Sequence, residues 1–295
     1  MDTSKQKIRI RVLRCGKVGV DPSWVDRELS GNAYAYSGVL RSRKTRIWLP
    51  VRAFLIEHPK GKVLVNTGWN VSVRERPLMT LGPMLFSVKP YLPVGEAIGE
   101  RLEMLGISPK DLKAVILTHM ETDVAGGLAQ VQQAQRILVN REMWLHANSI
   151  HPVFNTVSRD WRGIRVRNYR FPQENHPDAE LCRDVFGDKS VEIVPLPGRV
   201  RGAVGVRISW NGKFVLLVGD AAYSSDSWNY LMLPGPLDNA LDETITLDWI
   251  RKQAQKEDCV AVLATHDPAV QPDLIELGSR VNLYYFGNRT NAFKR

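Results

Sequence analysis

Cysteine is scarce in this sequence. The 295 residues include three, Cys15, Cys182 and Cys259. The count is odd and no two stand at C-x-x-C spacing. That argues against a disulfide framework or a zinc knuckle and favours a reducing compartment. Long hydrophobic runs are also absent. The longest aliphatic stretches resemble Phe-Val-Leu-Leu-Val at 214–218, far short of the about 20 residues that cross a bilayer. The opening MDTSKQKIRIRV has no apolar core of a secretory signal, so the expected location is the cytoplasm. There is no G-x-S-x-G elbow for serine hydrolysis, no P-loop and no Rossmann glycine fingerprint. Internal repeats and low-complexity linkers are missing as well.

What remains is an ordinary globular composition, 44% hydrophobic and 24% charged. A chain of this length buries a large core without covalent staples, and a single domain over 1–295 is expected. Forty basic residues against 31 acidic ones leave a net charge of +9, densest in RSRKTR at 41–46. No aromatic-interleaved motif accompanies the charge, so a solvated basic face is expected and nucleic acid is disfavoured as a partner.

Hydrophobic patterning places strands at 7–14, 47–57, 62–66, 112–118, 136–140, 191–195, 204–210, 213–219 and 259–265. Helical patterns cover 94–105, 124–133, 141–150 and 242–257. The Gly/Pro-rich stretch 82–95 carries Met84, Leu85, Phe86 and Tyr91. It reads either as a pocket wall or lid, or as a loop packed on the core. Strands and helices mix throughout, which suggests two packed sheets with helices outside.

Three apolar strands run directly into polar clusters. The first leads into His119, Glu121 and Asp123, the second into Asp220 and Tyr223, the third into His266 and Asp267. Sites on α/β scaffolds are built in such loops.

The ordered set NTG (66–68), THMETDVAGG (118–127), PGRVRGAVG (197–205), GDAAY (219–223) and THD (265–267) resembles the metallo-β-lactamase superfamily, and within it the N-acyl homoserine lactone lactonases. The resemblance implies a four-layer αββα sandwich, with the site at one edge between the sheets. It also implies a metal-dependent hydrolase of lactone, ester or amide bonds acting on a small molecule. Lactonase relatives often dimerise, so a homodimer is compatible with it.

The sequence departs from the family at the ligands. The family motif HxHxDH is met here by His119, Glu121, Asp123 and Val124, and the histidine of its PGH motif by Arg199. Asp220 and His266 stand where the bridging aspartate and the last histidine belong, and Asn66 replaces the aspartate of the DTG turn. Three of five histidines are gone. The pooled candidate ligands are His119, Glu121, Asp123, Asp220 and His266, two imidazoles and three carboxylates. This set suits manganese or ferrous iron at least as well as zinc, and it is too small for two metals. With Arg199 present, the ionised carboxylates leave a net −2. One divalent cation would balance that, and so would protonation of His119 and His266 in a metal-free site.

Arg199 reads either as a ligand- or oxyanion-binding guanidinium, or as a stand-in for the lost metal, paired with Glu121 or Asp220. In the lactonases a tyrosine at the spacing of Tyr223 contacts the substrate carbonyl, which implies that role here beside Asp123 and Arg199. Asn66 is expected to form its turn, without the carboxylate that supports metal ligands. His58, His146, His151 and His176 match no family ligand. Two functions therefore stand: a hydrolase with an altered, at most mononuclear site, and a catalytically inactive ligand-binding protein on the same fold. Nucleic-acid processing ranks behind both.

Overall fold

The computed structural model describes residues 6–27, 32, 35–38, 41–149, 160–171, 182–269 and 271–286. Among them, nine strands form a large sheet and five a smaller one. Eight strands of the large sheet lie in the order Val281–Tyr284, Leu274–Leu277, Ile8–Val20, Ile47–His58, Gly61–Val65, Leu112–Ile116, Ile137–Asn140 and Arg167–Tyr169. The ninth, Lys89–Tyr91, pairs with the end of Ile8–Val20. The smaller sheet has the order Cys259–Ala264, Lys213–Gly219, Val204–Trp210, Val191–Pro195 and Arg183–Asp184.

Alternation along each strand decides which layer it faces. In Lys213–Gly219, Val215 and Leu217 join Ile193, Val206, Ile10 and Phe54 in the core between the sheets. The intervening Phe214, Leu216 and Val218 pack outward on Leu247 and Ile250 of the helix Ala240–Ala254. On the large sheet, Ile98 and Leu102 of the helix Ile98–Met104 and Met143 of the helix Arg141–Ser149 join the central core. The result is the expected αββα sandwich. No helix among the described residues is long and apolar enough to cross a membrane.

Three local expectations change. The first strand continues to Val20, because a bulge between Arg14 and Lys17 lets it keep pairing with Ile47–His58. The helix expected at 124–133 is a short α-helix, Thr122–Ala125, followed by a 3₁₀ segment, Gly126–Val131. Its two glycines are needed for close approach. A Cβ on Gly127 would stand 2.2 Å from the Thr67 carbonyl oxygen, and one on Gly126 2.5 Å from the Asn70 nitrogen. The stretch 82–95 forms a 3₁₀ turn and the short strand Lys89–Tyr91, with Val88 and Leu92 buried.

Candidate functional site

The strands Gly61–Val65 and Leu112–Ile116 run parallel in the large sheet, as do Lys213–Gly219 and Cys259–Ala264 in the smaller one. Their chain-terminal ends meet at one edge of the sandwich, and the polar clusters follow them. Asn66 ties the ends together. It adopts φ +64°, a left-handed conformation that asparagine tolerates better than most residues. Its side-chain oxygen accepts from the Thr118 backbone N–H and hydroxyl, both at 3.0 Å, and its amide donates to Thr265 Oγ1 at 3.3 Å.

This bridge reaches the first imidazole. The Thr118 hydroxyl spends its hydrogen on Asn66, so the 3.1 Å contact with His119 Nδ1 is one it accepts. Nδ1 then carries a proton, and Nε2 is the atom turned to the cleft. A similar device sets His266, whose Nδ1–H donates to the Pro50 carbonyl at 2.8 Å. Asn66 thus does more than form a turn, and Thr118 and Thr265 are supporting residues that the sequence reading missed. Their signal was position, each next to a candidate histidine in a T-H pair.

All seven sequence-expected side chains converge. Asp220 is the hub: its Oδ2 lies 3.6 Å from His119 Nε2, 3.3 Å from His266 Nε2 and 3.4 Å from the Tyr223 hydroxyl that donates to it. His266 Nε2 also lies 3.3 Å from Asp123, and His119 Nε2 3.8 Å from Glu121. Arg199 approaches Glu121 at 3.0 Å and donates to the Tyr223 oxygen at 3.3 Å. The Tyr223 and His266 rings stack with centroids 5.8 Å apart. Val124, at the fourth motif position, is fully buried.

Burial alone would strip these groups of charge, but neighbours reverse it for most. For His266 the attraction of Asp220 and Asp123 overcomes desolvation and raises the imidazole to about 9. His119 is raised for the same reason, chiefly by Asp220. Desolvation opposes ionisation of Glu121, yet Arg199 and His119 hold it at about 2. Asp220 is held below the ordinary range against its own burial by His266 and His119. Asp123 is the exception: burial, with repulsion from Asp220 and Glu121, outweighs His266 and lifts it to about 6. Arg199 stays charged despite burial because Glu121 and Asp220 face it. Burial holds the Tyr223 phenol well above its ordinary value, so it remains a donor at neutral pH.

Among the described residues, His119, Glu121 and Asp220 offer ligand atoms within 4.8 Å of one another. His119 Nε2 and Asp220 Oδ1 are buried without a hydrogen-bond partner, an arrangement that is costly unless something binds them. This nitrogen-and-oxygen donor set fits one divalent cation. A cavity of about 260 Å³ opens onto Glu121 and Arg199, with Met120, Met143, Val200 and Leu237 as its apolar walls. The stretch 82–95 does not line it. Among the remaining histidines, His146 lines this cavity. His58 stacks on Phe186 at 4.3 Å and accepts from the Lys60 backbone N–H. His151 and His176 lie outside the described residues.

The sequence profile of the metallo-β-lactamase superfamily matches residues 46–266. The chain belongs to that superfamily. It is 28% identical over 234 residues to the N-acyl homoserine lactonase AttM of Azorhizobium caulinodans, which covers 76% of this chain and 84% of that protein. Among solved superfamily structures it superposes on an N-acyl homoserine lactone hydrolase holding N-hexanoyl-L-homoserine at the catalytic metal centre. The TM-score is 0.71 at 19% identity, covering 88% of this chain and 93% of the other. A mutant of B. thuringiensis AiiA, with N-decanoyl-L-homoserine bound at the active site, gives 0.70 at 20% identity with the same coverage. At that identity the superpositions speak for the shared superfamily fold.

Proposed function

We propose that this protein is a metal-dependent hydrolase of lactones or related esters, working with a single divalent cation. The observation that carries the reading is the Asp220 hub. One buried carboxylate faces two imidazoles and a tyrosine hydroxyl at the edge where superfamily members build their site. Of the expected ligands, His119, Glu121 and Asp220 are grouped tightly enough to share one cation; Asp123 and His266, linked to them through Asp220, are proposed to complete the set. Arg199 occupies the place of a missing histidine, which is why one cation rather than two is proposed. Similarity to the lactonases, in sequence and in fold, supports the substrate class.

When bound, the cation supplies Lewis-acid polarisation and a water of lowered pKa. The chain's own groups do the rest. Asp220 orients both imidazoles. Asp123, 3.3 Å from His266 Nε2, is the carboxylate that accepts a proton from the attacking water. The Arg199 guanidinium, which lines the cavity, presents donors to the oxygen that becomes negative as water adds to the acyl carbon, and the Tyr223 hydroxyl, 3.3 Å from it, joins them when its hydrogen turns from Asp220. The acyl carbon–oxygen bond then breaks, and the leaving alkoxide takes the proton that Asp123 accepted from water, giving the hydroxy acid. The apolar walls around Met120, Met143 and Leu237 accept the substrate's hydrocarbon part.

A second reading rests on the Arg199–Glu121 ion pair. In a metal-free protein this pair neutralises the site from within, and the cavity beside it binds a ligand without turning it over. The deciding experiment loads the protein with manganese, ferrous iron or zinc and assays a panel of lactones and aryl esters. Turnover that rises with metal and disappears on chelation supports the hydrolase. Ligand binding with no turnover under any metal supports the binding protein.

A further inference from the structure

At the opposite end of the parallel strands from Arg199, three arginines surround a second cavity. Arg136 immediately precedes the strand Ile137–Asn140, Arg167 opens the sheet-edge strand Arg167–Tyr169, and Arg183 opens the edge strand of the smaller sheet. They line a space of about 100 Å³ where the margins of the two sheets meet, with Leu138, Val185 and Ile193 as its apolar part. We propose that this cavity is a binding site for a phosphate group, either inorganic phosphate or the end of a phosphomonoester.

Among the described residues, three guanidiniums face one carboxylate at this margin. Among the described residues none of the three guanidiniums has an ion pair. Among the described residues, Asp184 is the one carboxylate lining the cavity, and its oxygens are already engaged. Oδ1 accepts from the Phe186 and Gly187 backbone N–H groups, and Oδ2 from that of Lys189. The arginines are instead positioned by neutral groups. Arg136 donates to the carbonyls of Lys113 and Val185, and Arg183 lies 5.3 Å from the centroid of the Tyr169 ring. A guanidinium has five N–H donors in a fixed fork, so this positioning leaves donors free for a ligand. Burial lowers the pKa of Arg136, and the repulsion from Arg167 and Arg183 around the cavity adds to it. A tetrahedral dianion relieves that repulsion and matches the forks bidentately. Arg136 is half-buried, and Arg167 and Arg183 reach the cavity from its exposed rim. The bound group would also clamp the edge strands of the two sheets together, so binding is expected to show as stability.

The test uses the full chain. Inorganic phosphate and glycerol 2-phosphate are titrated separately by calorimetry, and melting temperature is followed against sodium chloride of equal ionic strength. The expected result is saturable binding of at least one probe, a melting temperature raised beyond the chloride control, and a Kd weakened about tenfold or more by Arg183→Gln and by Arg136→Gln. Arg183 is exposed, so its variant keeps the test valid if Arg136→Gln fails to fold. Binding of the free ion alone identifies inorganic phosphate as the ligand. Tighter binding of the ester identifies a phosphomonoester. Chloride matching both probes, or binding lost in Arg199→Met but retained in Arg183→Gln, would overturn the proposal.

Discussion

Arg199 holds one guanidinium nitrogen 3.0 Å from Glu121, the two residues that the sequence resemblance sets against family histidines. The two exchanges are complementary. A cation in place of one imidazole is met by an anion in place of another, so the pair is neutral as a unit. Arg199 is 4% exposed, and removing one member of such a pair leaves the other's charge unpaired.

Replacing Arg199 with histidine removes the cation and supplies an imidazole beside His119, Glu121 and Asp220. Arg199→His is expected to bind zinc at least tenfold more tightly than the parent, as measured by competition with a chromogenic chelator. Glu121→Gln should weaken metal binding in the parent. Unchanged zinc affinity in Arg199→His would mean that the guanidinium does not occupy ligand space.

Asn66 is expected to act on the metal site without touching metal. Asn66→Gly tolerates the left-handed backbone but loses the bridge to Thr118 and Thr265. Its metal affinity should fall about tenfold or more, in the range found for outer partners of ligating histidines. Asn66→Asp keeps the acceptor for Thr118, and its affinity should stay near that of the parent. Equal losses in the two variants would assign the effect to the amide donated to Thr265, which both lack, rather than to the acceptor for Thr118.

Glu243 gives a pH signature. It is fully buried behind the Gly198–Arg199 turn with both carboxylate oxygens unpartnered. Burial, only partly offset by Arg199, lifts it from the ordinary 4.5 to about 8. Between those values the folded protein binds more protons than the unfolded chain, so this residue makes stability fall as pH rises, by up to about 1.4 kcal/mol per pH unit. Above the folded value the effect levels off. Glu243→Gln should therefore melt higher than the parent, with an advantage that grows from pH 5 to pH 8. Thermal melts across that range check it, and an advantage independent of pH would contradict the assignment.

The strands and the edge they build were legible because continuous apolar runs ending in His119, Asp220 and His266 carry both signals at once. Local conformation at Gly126 and Gly127 was not, since their close approach to Thr67 and Asn70 is a tertiary fact that helix periodicity does not contain. Glu243 was unreadable for a similar reason. It sits in the first turn of a helix, where an acidic residue is ordinarily an exposed partner of the helix dipole, and only the packing of Gly198 against it reveals its burial. The three-arginine margin draws on residues up to 47 positions apart, 136 to 183, so no local window could show it.

The central claim is one cation per chain, held around Asp220. Its most direct test is inductively coupled plasma mass spectrometry on protein loaded with manganese, iron or zinc and then desalted, with Asp220→Ala run in parallel. The account expects about one equivalent in the parent and none in the variant. Two equivalents in the parent, none under any metal, or equal content in parent and variant would contradict it.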